Sequence, residues 1–218
     1  MKSATIASPL SGSDADIALR PTAIVIGAST GGPQALPVVI HDLAALIPFV
    51  PVLIALHIPP EFTQAVATRI EKLAGHAPLI PHDGAPLTAG HVYLSPGDRH
   101  LALGRCDGKV VIKLLDTPPE NFCKPSIDVL FRSAADAFGA GLVAIVLTGM
   151  GSDGLAGTRA IASAGGKVIA QDANTSAVWG VPRLVANEGL ANAVLPLKEI
   201  GGWVCRQTRG SLRRESQS

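Results

Sequence analysis

Residues 22–33 read TAIVIGASTGGP, and the reading of this stretch decides the fold. The run from Ala23 to Ala28 is apolar throughout, where a half-exposed strand would alternate. An unbroken apolar run suits a parallel strand covered on both faces. It stops at a small, Gly-rich turn, and PQALPVVIHDL then reads as a helix with a proline near its first turn. Within the turn, GASTG matches G-x-S-x-G in the strand–turn–helix context that a nucleophile elbow requires. A dinucleotide site uses the same layout, although GASTGG lacks the GxGxxG spacing and no Walker lysine follows. A plain tight connector is the third reading. Taken alone, the stretch leaves all three open.

Outward from it, the pattern repeats. VPVLIAL reads as a second strand, followed by the helix EFTQAVATRIEKLAG with Phe62, Val66, Ile70 and Leu73 at helical spacing. APLIP is a short extended segment. SIDVLFRSAADAFG is a helix with Ile127, Leu130 and Phe131 on one face. GLVAIVLTG is a buried strand, GLAGTRAIASAGG a helix ended by glycines, and KVIAQ a strand. VPRLVANEG is a short helix and ANAVLPL a last extended piece. Asp107-Gly108 between β-rich runs signals a hairpin at about residues 90–115. The expected fold class is therefore α/β: a doubly wound, mostly parallel sheet with flanking helices and a small β-hairpin excursion. Residues 1–20 read as a flexible leader, 21–204 as one domain, and 205–218 as a flexible basic tail.

Composition limits the function classes. Of 218 residues, 47% are hydrophobic and 16% charged, which predicts a sizeable core rather than disorder. The net charge of +1 points to no nucleic-acid partner. There is no signal-peptide pattern and no apolar stretch long enough to span a membrane, so a cytoplasmic protein without membrane insertion is expected. Three cysteines without a CxxC pair suggest reduced thiols rather than a disulfide framework or a zinc site.

A serine needs a base to become a nucleophile. Of His41, His57, His76, His82, His91 and His100, only His57 directly ends a strongly apolar strand, and Pro59 and Pro60 stiffen the loop after it. His100 is the second candidate. An orienting carboxylate stands in VLTGMGSDGLAG, where Asp153 follows another buried strand. A helix cap is the simpler reading of Asp153. Gly149, Gly151 and Gly154 make the turn more open than a cap needs, which suggests close backbone approach to a ligand or another loop. Ser29, His57 and Asp153 thus end three apolar strands, and in a parallel sheet such ends meet on one edge.

IGASTGGPQAL, HIPPEFTQAVATRI, DGAPLTAGHVYLSPGDRHL, KPSIDVLFRSAA, VLTGMGSDGLAGTRAI and AQDANTSAVWGVPR occur in this order. Together they resemble the catalytic domain of chemotaxis protein-glutamate methylesterases, the CheB-type family, over about residues 22–200. The resemblance implies hydrolysis of glutamate γ-methyl esters on the cytoplasmic helices of chemoreceptors, with release of methanol, and deamidation of receptor glutamines in many members. It assigns Ser29 as nucleophile, His57 as base and Asp153 as orienting acid, with the backbone N–H groups of Thr30 and Met150 as oxyanion hole. Gly31, Gly32 and Gly151 form the expected substrate-proximal loop. No metal and no organic cofactor is implied. Competing readings are a catalytically silent module that binds receptors or signalling partners, and a nucleotide-binding domain.

Three departures from the family stand out. About 20 residues precede the first expected strand, too few for the family's N-terminal receiver domain, so the chain reads as a stand-alone enzyme or a fragment, with regulation left to a separate protein. Cys123-Lys124 stand where His-Arg is usual. Val181 replaces the methionine of Gly-Met-Pro. Altered substrate docking is the expected consequence of the last two.

Overall fold

Alternate residues of the first strand enter two different cores. Ile24, Ile26 and Ala28 belong to one, Ala23 and Val25 to the other, and all are buried. This is why the run is apolar throughout: both faces of the strand are covered. The computed structural model describes residues 19–215, with side chains to Thr208; residues 1–18 of the expected leader lie outside the described residues.

In chain order the elements are β1 (Ala23–Ala28), α1 (Gly32–Asp42), β2 (Val52–Leu56), α2 (Pro60–Ala74), β3 (Val92–Leu94), β4 (His100–Cys106) and β5 (Lys109–Leu115). They continue with α3 (Ile127–Phe138), β6 (Leu142–Val146), α4 (Leu155–Ser163), β7 (Lys167–Gln171), α5 (Val181–Asn187), β8 (Ala193–Leu195) and α6 (Leu197–Glu215). Six strands form a parallel sheet in the order β3-β2-β1-β6-β7-β8, and β4 and β5 form a separate antiparallel hairpin. Helices α1, α2 and α6 cover one face of the sheet; α3, α4, α5 and the hairpin cover the other. The chain winds outward from β1 to β3, then returns to place β6 on the other side of β1. The reversal lies between β1 and β6, where open α/β sheets leave a crevice beyond the strands' carboxyl ends.

Several expectations change. Val92–Leu94 belongs to the main sheet, parallel to β2, so the hairpin proper begins at His100. The segment APLIP contributes one parallel bridge, Leu79 to Tyr93. Helix α2 buries Thr63, Val66, Ala67, Ile70 and Ala74, whereas Phe62 and Leu73 are 55% and 54% exposed. The inward stripe is thus rotated toward small residues, because α2 packs closely on α1. The leader does not extend through residue 20 as a free segment, since Leu19 is buried in the core. From Cys205 the chain is not a loose tail either: α6 continues to Glu215. Its buried side chains Ile200, Trp203 and Val204 have helical spacing, but Gly201-Gly202 interrupts the pattern in the sequence. A Cβ on Gly201 would lie 2.5 Å from Asp42 Cβ, so the glycine allows α6 to lie against the end of α1.

Candidate active site

Three adjacent strands carry the three candidate side chains to one edge. Ser29 follows β1, His57 follows β2, and the loop after β6 leads to Asp153. The strand ends are fastened together by backbone: His57 N donates to Ala28 O (3.1 Å), and Ser29 N donates to Thr148 O (3.0 Å). A Cβ on Gly149 would stand 2.8 Å from Ser29 Cβ. That glycine is what lets the β6 loop pass beside the serine. Among the described residues no hydrogen bond engages Ser29 Oγ.

Asp153 is 2% exposed and surrounded by donors. Its Oδ2 accepts from His57 Nε2 (2.7 Å) and Ile127 N (2.7 Å). Its Oδ1 accepts from Ser126 Oγ (2.7 Å), Asp128 N (3.2 Å) and Asn121 Nδ2 (3.3 Å). Two of these donors are the first backbone N–H groups of α3, which have no partner within the helix. The carboxylate therefore caps α3, on a different element, rather than α4; the residue before α4 is Gly154. Burial pushes the Asp153 carboxyl up, but the hydrogen bonds from His57, Ser126 and Ile127 outweigh it and hold the group below its ordinary value. An ionised Asp153 fixes the proton of His57 on Nε2 and leaves the lone pair on Nδ1.

A second carboxylate lies beside it. Asp128 is buried, accepts from Gly157 N (2.6 Å) and Asn121 Nδ2 (2.8 Å), and has its pKa raised, chiefly by burial, with the Asp153 charge adding to it. Asn121 thus bridges two carboxylates of opposite shift, Asp153 lowered by the hydrogen bonds it accepts and Asp128 raised by burial and by the Asp153 charge.

The backbone N–H groups of Thr30 and Met150 donate to no protein acceptor among the described residues, and both residues are exposed. Gly31 is the N-cap of α1 with φ 85°, and a Cβ there would meet Ala177 Cβ at 2.7 Å. Gly32 faces inward instead of lining a substrate path: a Cβ would fall 2.7 Å from Leu56 Cδ1 and 2.9 Å from Ala28 Cβ. Gly151, with φ 89°, has open space around it.

A family model for CheB methylesterase matches residues 24–204. The chain belongs to the CheB methylesterase family. A protein-glutamate methylesterase/protein-glutamine glutaminase of Rhodopseudomonas palustris (strain BisB5) is 47% identical over 190 residues, 87% of this chain and 49% of that protein. One from Rhodospirillum rubrum, similarly named, is 46% identical over 188 residues, 86% and 49% of the two chains. The chain spans about half the length of the curated relatives it matches. The crystal structure of the Thermotoga maritima CheB methylesterase catalytic domain superposes with a TM-score of 0.81 at 36% identity, covering 85% of this chain and 98% of that one.

Within this CheB-family fold, the remaining candidates have other tasks. His100 is fully buried; its Nδ1 accepts from Ser126 N (3.0 Å) and its Nε2 donates to Pro118 O (3.1 Å). It braces Ser126 and through it Asp153, and does not reach Ser29 as an alternative base. Sequence reading missed Ser126 and Asn121. Ser126 carried a signal, since a serine just before an apolar helical run is an N-cap pattern; Asn121 carried none. Val181 is buried and its N–H donates to Gly149 O (3.1 Å), so it acts on the Gly149 loop rather than on a substrate directly. Lys124 pairs with Asp116 at 2.5 Å. Cys123, His57 and Asp153 each bring a ligand atom within 4.8 Å of the others, the set among the described residues that could hold a metal ion. The Cys123 thiol, however, is pushed up to about 11 by burial and by the charges of Asp153 and Asp128, which disfavours the thiolate a metal needs. Among the described residues no helix is long and apolar enough to cross a membrane.

Proposed function

We propose that this chain is a serine hydrolase of the cytoplasm that demethylates glutamate γ-methyl esters on chemoreceptor helices. The observation that carries the reading is that Ser29, and a His57 hydrogen-bonded to Asp153 at 2.7 Å, stand at the ends of three neighbouring parallel strands. The names of its relatives supply the substrate class.

His57 Nδ1 takes the Ser29 proton as Oγ bonds to the ester carbonyl carbon. Asp153 holds the imidazole in the required tautomer and offsets the charge it gains. The uncommitted N–H groups of Thr30 and Met150 receive the developing oxyanion. The C–O bond to the methoxy group then breaks, and His57 returns the proton so that methanol leaves. Water attacks the acyl-serine, His57 accepts its proton, and glutamate and free Ser29 are restored. With a carboxamide in place of the ester, the same steps release ammonia, as the glutaminase part of the relatives' name implies. No step calls on a metal or an organic cofactor.

Ser29→Ala should abolish methanol release from a methylated receptor fragment while the fold, followed by circular dichroism, is kept. Methanol release by the alanine variant at the wild-type rate would overturn the assignment.

A further inference from the structure

Beside the candidate triad the chain makes a two-residue turn that carries a fully exposed phenylalanine. Glu120 and Cys123 exchange backbone hydrogen bonds in both directions (3.1 and 2.8 Å). Between them, Asn121 and Phe122 both have positive φ, 50° and 62°. This conformation suits Asn and Gly; for a bulky side chain it is an outlier. The strain does not relax, because the turn is fastened on both sides. The Glu120 carboxylate accepts from Nη1 and Nη2 of Arg132, each at 2.6 Å, and Asn121 Nδ2 donates to Asp128 and Asp153. Cys123, the next residue, has its sulfur within 4.8 Å of a ligand atom of His57 and of Asp153.

The turn therefore fixes the backbone of Phe122 between two residues, Asn121 and Cys123, that themselves reach the His57–Asp153 pair. Its relative exposure is 104%, above every other large apolar residue described. Neither the local backbone nor the core explains an aromatic ring there. Strain that surrounding contacts maintain at a site, together with a rigid unpartnered aromatic, is the form a binding anchor takes.

We propose that Phe122 is a specificity-determining anchor that packs on an apolar side chain of the substrate helix, one or two turns from the ester-bearing glutamate. Adjacent Cα atoms are about 3.8 Å apart and a helical turn rises about 5.4 Å, so a ring on the residue before Cys123, whose sulfur lies within 4.8 Å of ligand atoms of His57 and Asp153, stands off from that pair on the scale of one or two helical turns. The anchor selects receptor helices over small esters, which cannot reach it. The inference rests on the methylesterase reading and deepens it.

The decisive variant is Phe122→Gly, which gives the turn the Asn-Gly pair that its backbone prefers. The melting temperature should rise. The ratio of kcat/KM for a methylated receptor fragment to that for p-nitrophenyl acetate should fall at least about tenfold, mainly through KM. Phe122→Tyr should retain most of the wild-type ratio. A wild-type ratio in Phe122→Gly overturns the anchor while leaving the methylesterase reading intact. A wild-type enzyme that cleaves p-nitrophenyl acetate but releases no methanol from the receptor fragment overturns that reading, and the anchor with it.

Discussion

At the residue scale, Asp153 is the position where structural and chemical demands coincide. The same two oxygens cap α3 and hold His57, so its substitution should be felt in both. Asp153→Asn replaces an acceptor with an amide that points donors at donors. The expected loss is roughly 3–5 kcal/mol of stability and ~10³–10⁴ in kcat, read by urea denaturation and methanol release. The pH dependence has a definite sign. The folded pKa of Asp153 lies below its ordinary value of 3.8. Its contribution is therefore complete above that value and is lost as pH falls through the folded value. Asp128 is shifted the other way, and protonating it on acidification relieves its repulsion with Asp153. Stability curves measured below about pH 4 should accordingly be flatter for Asp153→Asn than for the wild type.

At the element scale, α2 shows how tertiary packing overrides a sequence stripe. Phe62, Val66, Ile70 and Leu73 have the spacing of a helix face, yet Phe62 and Leu73 are exposed. The face that packs on α1 uses Thr63, Ala67 and Ala74 beside Val66 and Ile70, since small residues let the helices approach. Ile70→Ala should cost about 2–5 kcal/mol, whereas Phe62→Ala should change stability by about 0.5 kcal/mol or less. Equal effects in thermal unfolding would contradict the observed face. The elements that bear the site were legible for a plain reason: strands buried on both faces must be apolar at every position. The terminal helix was not, because Gly201-Gly202 interrupts its pattern, and only the nearness of α1 makes glycine useful there.

At the scale of the whole molecule, the site depends on strand order. β1 lies between β2 and β6, so the strand that ends at Ser29 is flanked by those that lead to His57 and to Asp153, and Asp153 reaches past the end of β1 to meet His57. Gly149 is where the loop after β6 passes Ser29. Gly149→Ala places a methyl group 2.8 Å from Ser29 Cβ, and one of the two strand ends must give way. A displacement of about 1 Å is enough to lower kcat by ~10², and the loss should exceed what the change in melting temperature suggests; wild-type kcat in this variant would show that the strand ends are not tightly coupled.

The sequence by itself determined the strand–helix alternation, the three strand-end side chains and the family they resemble. Each of these rests on local pattern: unbroken apolar runs, small residues at turns, and polar groups at fixed offsets. Only the tertiary structure decided that Asp153 caps α3 rather than α4, that His100 braces Ser126 instead of serving as a base, and that Asn121 and Phe122 form a strained turn beside the site. These depend on contacts between residues far apart in the chain. The hydrogen bonds that fix Asp153 come from positions 25–32 and 96 residues away in sequence. No local period encodes such a pairing; folding the sheet and laying α3 across its edge creates it.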